Sequence, residues 1–232
     1  MSFLQSHLKT DTMDKKISLL IACMLTASAL FAQDFQLSFS TGPSINWLSS
    51  GESEITSGSS RAGYDFGVVA DLFFDDRQRY AVTTGLLLTN TGGKLEYGGS
   101  GPYSIGDQSI SAGNTLTFRL KYLEIPAAVK LKTSQFRRST YWGQFGLSGF
   151  VNVGAKGSSS DGQLDKNDIQ DGISALNLAM NVGLGFDFDL GADNALSVGI
   201  IYKDGLTDIT KDRSHDGKIT VNSVNLKLGL IF

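Results

Sequence analysis

Cysteine and histidine are nearly absent from this chain, which has one Cys, two His and three Pro in 232 residues. Cys23 lies in an apolar N-terminal stretch read below as removed. The remaining chain then has no disulfide framework, thiolate zinc site or cysteine nucleophile. Downstream of that stretch only His215 remains, and one imidazole cannot build a poly-His metal centre. Charged side chains make up 19% and mean hydropathy is −0.03, values that fit neither a helical membrane protein nor a disordered tail. No later segment approaches 18 consecutive apolar residues, so no transmembrane helix is expected. Much soluble enzyme chemistry is disfavoured before any motif is considered.

The first 32 residues read as an export signal. Lys15 and Lys16 precede an apolar run from Ile17 to Ala32, which ends in small residues before Gln33. That is the layout of a secretory signal peptide, and the run is short for a spanning helix. Met13 is the expected start. Cleavage is placed after Ala32, with Ala27-Ser-Ala29 as a second exit. Leu20-Ile-Ala-Cys23 resembles a lipoprotein box, but the segment after it stays apolar, so the cleaved-signal reading is preferred. The expected organisation is 1–32 for the extension and signal and 33–232 for a single domain. Without Lys9, Lys15, Lys16, Asp11 and Asp14, 17 basic and 21 acidic groups remain. That balance offers nothing to hold nucleic acid by phosphate neutralisation.

Period-2 alternation dominates the rest and marks two-faced strands. Leu176, Leu178, Met180, Val182, Leu184, Phe186 and Phe188 share one face, opposite Asn177, Asn181, Gly183, Gly185 and Asp187. Phe66, Val68 and Leu72 oppose Asp65, Gly67 and Asp71. At the C-terminus Val224, Leu226, Leu228, Leu230 and Phe232 oppose Asn225, Lys227 and Gly229. Weaker strands run through Phe35–Trp47, Tyr80–Tyr97, Tyr141–Val153 and Leu196–Tyr202. Thr115–Lys132 breaks phase, because Leu116, Phe118 and Leu120 have one parity and Leu123, Ile125, Val129 and Leu131 the other. A β-bulge near Lys121–Leu123 would reunite the two sets; the alternative is an interior that is partly apolar there. The bulge is the preferred reading.

Eight strands joined by four long Gly/Ser-rich connections and three short turns predict an antiparallel up-and-down transmembrane β-barrel, long loops external and short turns periplasmic. A soluble lipocalin-like barrel around an apolar ligand would show the same period with the apolar face inward. Three features favour the membrane. The polar faces are built from Gly, Ala, Ser, Asn and Asp, which suit a narrow lumen. Aromatics sit near strand ends, with Phe35, Tyr80 and Tyr141 at one level and Trp47, Tyr97 and Tyr202 at the other, as interfacial girdles require. Phe232, a terminal aromatic on the closing strand, resembles the signal read by the bacterial barrel-assembly machinery.

Tyr122-Leu-Glu-Ile-Pro126-Ala-Ala-Val-Lys-Leu is similar to the Tyr-Leu-Glu-Ile-Pro stretch of the PorT-like outer-membrane β-barrel family of Bacteroidetes. Gly85-Leu86-Leu87 and Tyr202-Lys-Asp-Gly205-Leu206-Thr-Asp-Ile209 resemble further landmarks of that family, as does the signal ending Phe31-Ala32-Gln33. The resemblance spans the mature chain. It implies an eight-stranded barrel in the bacterial outer membrane after signal-directed export, with outer-membrane lipids and the assembly machinery as partners. For a few members it also implies a secretion or envelope partner; the narrow role does not transfer.

On the membrane reading Phe66, Val68, Leu72, Leu178, Val182, Leu184, Phe186, Leu226, Leu228 and Leu230 face lipid. Asp65, Asp71, Arg119, Lys121, Glu124, Gln144, Asn177, Asn181, Asp187, Lys203 and Lys227 face the lumen, where an unpaired charge is expensive. They are expected to form a network of ion pairs and hydrogen bonds in a lumen just filled by side chains. Pro126, which lacks a donor, is expected at the bulge or a strand margin. Neither a catalytic site, a cofactor nor a metal is expected. Ser214-His215-Asp216 places a hydroxyl, an imidazole and a carboxylate in one loop, but adjacent residues point apart, and the His-x-Ser pairing of the barrel lipid A deacylases is missing. Asp212–Ser223 resembles a calcium loop without the closing Glu, Asp165–Gly172 more faintly still, and Gly154–Gly162 reads as flexible loop.

Overall fold

The computed structural model describes residues 34–98, 103–106, 108–192, 194–211 and 217–232. The expected export signal, residues 1–32, and Ser214-His215-Asp216 lie outside them. Its strands are β1 Phe35–Ser50, β2 Ile55–Ser57, β3 Arg61–Phe73, β4 Tyr80–Tyr97, β5 Tyr103–Ile105, β6 Gln108–Ile110, β7 Thr115–Lys132, β8 Ser139–Ser159, β9 Asn167–Asp168, β10 Leu176–Gly191, β11 Asn194–Gly205 and β12 Ile219–Ile231. Eight of them close a ring in the order β1, β3, β4, β7, β8, β10, β11, β12, and β12 pairs back with β1. All pairings are antiparallel, so every barrel edge is consumed. The short strands extend the long-loop end: β2 adds to β4, β9 adds to β8, and β5 with β6 form a separate hairpin.

The alternation orients the barrel. Leu178, Val182, Leu184, Phe186, Phe66, Val68, Leu226, Leu228 and Leu230 are exposed on the outer surface, Leu184 to 69%, and Leu72 is partly exposed. Their strand neighbours Asp65, Asp71, Asn181, Asp187, Asn225 and Lys227 are buried. The soluble-barrel alternative fails here, since it needs apolar side chains inside. From Leu123 to Leu131 the outward residues of β7 are all apolar. At about 3.3 Å per residue and a tilt near 45° that run stands about 19 Å tall, most of the roughly 25 Å apolar band of such barrels.

The phase break is where the structure departs from the preferred reading. β7 keeps one parity throughout: Leu116, Phe118, Leu120, Tyr122, Glu124, Pro126, Ala128 and Lys130 are all buried. No bulge lies on β7. What changes is the surroundings. Below Tyr122 the outside is apolar and the inside polar; above it the outside is polar and the inside apolar. The apolar-interior alternative is therefore the right one. A bulge does exist, on the partner strand β8, where Lys121 pairs with Gly154 but Tyr122 pairs with Asn152. The extra residue, Val153, switches the parity of β8, so Ala155 turns inward and Lys156 outward.

Other expectations are corrected as well. Gly154–Ser159 is strand rather than flexible loop. Tyr97 does not belong to the outer girdle: it is 3% exposed, inside the barrel end. Trp47 and Tyr202 do stack on the outer surface, with centroids 6.3 Å apart. Pro126 sits in mid-strand, where Gly85 and Leu86 leave the β4–β7 ladder unpaired, so its missing N–H leaves no bond broken.

Candidate functional site

Two interior zones are stacked along the barrel axis. The lower is polar and lies within the apolar belt. Strand pleating sends Asp71 and Lys130 inward from β3 and β7, where Lys130 Nζ lies 2.6 Å from Asp71 Oδ2 and the Thr83 hydroxyl donates to Asp71 Oδ1 at 2.5 Å. Higher up, Lys203 Nζ contacts Glu124 Oε2 at 2.6 Å and lies 4.0 Å from Asp65 Oδ2. Thr89 donates to Glu124 at 2.8 Å, and Asn225 Nδ2 donates to Asp65 at 2.7 Å. Asn181 Nδ2 donates to Ser148 Oγ at 3.0 Å, and Gln144 reaches Asn181 at 3.5 Å. Nearer the short turns Lys132 Nζ contacts Asp187 Oδ2 at 2.8 Å.

Trp142 divides this zone. Lys130 and Lys227 place their ammonium groups 5.0 and 5.2 Å from its ring centroid, within reach of the cation–π attraction. Among the described residues Lys227 has no direct carboxylate partner, so the ring is its main counterpart. Gly185 and Gly199 sit opposite each other, and a Cβ on either would lie 2.5 or 2.4 Å from Trp142 Cζ2. Their bareness makes room for the indole. In the middle of the lumen the cavities are about 30 and 40 Å³, room for a water or two, whereas toward the short turns the lumen widens into a mouth of about 880 Å³ lined by Gln36, Lys132, Thr140 and Asp187.

The upper zone is an apolar cap. Leu95, Leu116, Phe118, Leu120 and Ala155 line the barrel end, and all four long connections send residues onto them. The first supplies Ile55, the second Tyr103 and Ile105, the third Leu164, Ile169 and Ile173, the fourth Ile209. Tyr97 and Tyr103 pack with ring centroids 4.9 Å apart. Desolvation and the hydrogen bond to Glu54 both raise the Tyr103 phenol above its ordinary value. Each well-buried aliphatic or Phe side chain contributes about 1.5–3 kcal/mol, which ties the four connections to one another. Tyr122 marks the seam, with its hydroxyl 3.2 Å from the Asn177 amide.

Of the expected luminal residues, the structure brings together Asp65, Asp71, Glu124, Gln144, Asn181, Asp187, Lys203 and Lys227. Asn177 lies higher, at the seam. Arg119 and Lys121 are corrections: both sit at outward positions, Lys121 exposed and Arg119 half-buried. A bulge on β7 would turn them inward, but the strand keeps one parity. Lys130, Lys132, Thr83 and Trp142 complete the network and went unnoticed, although the even parity of Lys130 and Lys132 matches Glu124. Ser223, the twelfth position of the calcium-like loop, is buried in β12 and donates to Asn225 at 2.8 Å. In the fainter stretch, the Asp168 carboxylate accepts from the Gln170 N–H at 2.9 Å. The described residues contain no cluster of three or more His, Cys, Asp or Glu side chains suited to a metal.

The model of the outer membrane protein beta-barrel domain family matches residues 31–211. Similar solved structures include Neisserial surface protein A, at 13% identity over 84% of this chain and 95% of that one, TM-score 0.48. Ail, the attachment invasion locus protein of Yersinia pestis, is 15% identical over 86% and 99%, TM-score 0.41. The outer membrane protein OprG from Pseudomonas aeruginosa is 13% identical over 86% and 97%, TM-score 0.43. No curated protein matches the sequence. An eight-stranded ring with apolar side chains outward, matched by that family model over most of its length, identifies the chain as an outer-membrane β-barrel and a member of the outer membrane protein beta-barrel domain family.

Proposed function

We propose that this protein is a non-catalytic outer-membrane scaffold that holds four long loops as one rigid external platform for an envelope or secretion partner. The cap carries this reading: an apolar core shared by all four connections is what a presentation surface needs, and a flexible gate would not build one. The middle of the barrel agrees, since above the mouth at the short turns the lumen narrows to cavities of about 30 and 40 Å³, too small to pass a solute. Placement within the PorT-like branch rests on Tyr122–Pro126, whose residues form the seam (Tyr122), the outward belt (Leu123, Ile125) and the luminal network (Glu124).

The test has two arms. Single cysteines at Asn114 and Lys166, labelled on intact cells with a membrane-impermeant maleimide, are expected to react; photo-cross-linking from the same positions is expected to capture a discrete envelope protein. Turnover of outer-membrane lipids by the purified protein, lost on His215→Ala, would overturn the non-catalytic reading.

A further inference from the structure

Four cations at outward positions just above the apolar belt, with Arg61 reaching toward them from the end of β3, play no part in either interior zone. On β7 the last outward apolar residue is Leu123, followed by Lys121 and then Arg119. Lys121 sits opposite Asn90 on β4 and Gly154 on β8, while Arg119 sits opposite Gly92 and Lys156. Lys94 is the next outward residue on β4. The Arg61 guanidinium reaches into the group, donating to Asn90 Oδ1 at 3.3 Å and to the Thr91 carbonyl at 3.1 Å.

No carboxylate in the described protein lies within 4 Å of their charged groups. No ion pair involves Arg61, Lys94, Arg119, Lys121 or Lys156 among the described residues. In the register the neighbouring acids are Glu96, opposite Thr115, and Asp168, opposite Lys156, whose carboxylate is turned to the Gln170 N–H. Like charges directly opposite on adjacent strands are destabilising, yet Arg119 and Lys156 occupy such a pair. The Arg119 Nε is buried without an acceptor. The arrangement is one that an anion would complete.

Height and shape identify the anion. Each outward step on β7 is two residues, and at about 3.3 Å per residue and a tilt near 45° it rises about 5 Å. Lys121 and Arg119 therefore stand about 5 and 10 Å above the last apolar side chain, the depth of the headgroup layer. A Cβ at Gly154 would meet nothing within 4 Å, so the surface beside Lys121 is open. Immediately below lie the exposed apolar residues Val153 and Leu176 with the partly exposed Leu123. We propose that Arg119, Lys121 and Lys156, flanked by Arg61 and Lys94, bind the phosphate of an outer-leaflet lipid whose acyl chains lie along Leu123, Val153 and Leu176.

The test uses the full chain in dodecyl maltoside micelles with diphosphoryl lipid A as probe, retention being read by native mass spectrometry. The wild type is expected to retain lipid A. The combined R119Q, K121Q and K156Q variant is expected to lose it by about tenfold or more, as removal of charge-assisted hydrogen bonds implies; K166Q, outside the group, is expected to retain it. Dephosphorylated lipid A is expected not to bind, and excess inorganic phosphate is expected not to displace the lipid. Undiminished retention by the triple variant, or equal retention of dephosphorylated lipid A, would overturn the proposal. Displacement by inorganic phosphate alone would replace the lipid by a free anion, and cross-linking of an acidic protein at these positions without lipid retention would replace it by a protein. Should the triple variant not acquire the heat-modifiable mobility of a folded barrel, K121E, at an exposed position, carries the same expectation.

Discussion

Removing Glu124 alone should destabilise the barrel much more than removing Glu124 and Lys203 together. Glu124 Oε2 lies 2.6 Å from Lys203 Nζ, with side-chain exposures of 2% and 8%, and Thr89 adds a hydrogen bond of 2.8 Å. Breaking a buried pair by deleting one partner costs about 3–5 kcal/mol, because the survivor is left uncompensated. Asp65, 4.0 Å from Lys203, recovers part of that, which places E124L near the lower bound, about 3 kcal/mol. Replacing both charges by apolar groups of similar volume is often neutral, so E124L/K203M should lie within about 1 kcal/mol of wild type. The assay is reversible urea unfolding in lipid vesicles, followed by tryptophan fluorescence and by gel mobility without boiling. A single-variant loss below about 1 kcal/mol, with no recovery in the double variant, would mean that the pair is solvated rather than buried.

Three further outcomes follow from other parts of the molecule. On one strand and one face, I125R should cost about 2–4 kcal/mol of bilayer stability because it points into the apolar belt, whereas T115R, opposite Glu96, should change stability by no more than about 0.5 kcal/mol; equal costs would contradict the change of surroundings between them. G199A should destabilise by about 1–3 kcal/mol through overpacking against Trp142 and be partly rescued by W142F, as measured by the same urea titration. In the third long connection, hydrogen bonds from the Ser159 hydroxyl and, at 3.0 Å, from the Gln163 N–H hold the Asp161 carboxylate below its ordinary value of 3.8. Because the folded value is the lower, the turn at 159–164 is fully supported above pH 3.8 and loses that support as pH falls through the folded value. Limited proteolysis there should be unchanged from neutral pH down to about 5 and rise only in stronger acid; a rise that begins near neutrality would refute the assignment.

The strands, the closed ring and the outward face were legible because a lipid-spanning strand must alternate, and Leu176–Phe188 or Val224–Phe232 does so without interruption. Asp65, Asp71 and Lys203 were placed inward by the same rule. Arg119 and Lys121 were not, because a sequence records which residues share a face but not what surrounds it. An apolar residue faces outward in the bilayer and inward above it, so Leu120 and Leu123 imitate a bulge although the backbone never changes phase. The real bulge, at Val153, falls among Gly, Ala and Lys, where alternation is too weak to show a slip. The cap was hidden for a related reason: Ile55, Ile105, Ile169 and Ile209 are isolated apolar residues in polar loops, and only closure of the ring brings them together. Tyr97 was misplaced because a strand-end aromatic serves equally well as girdle or as core.

The reversal at the Tyr122 seam can be measured directly in a chain begun at Gln33, which contains no cysteine. Nitroxides placed singly along 115–131, with the protein in vesicles, report collision with oxygen from lipid and with a nickel chelate from water. Odd positions from 123 to 131 should favour oxygen and odd positions from 115 to 121 the chelate, while even positions throughout stay shielded from both. A swap in which even positions from 116 to 120 become the accessible ones would contradict the account.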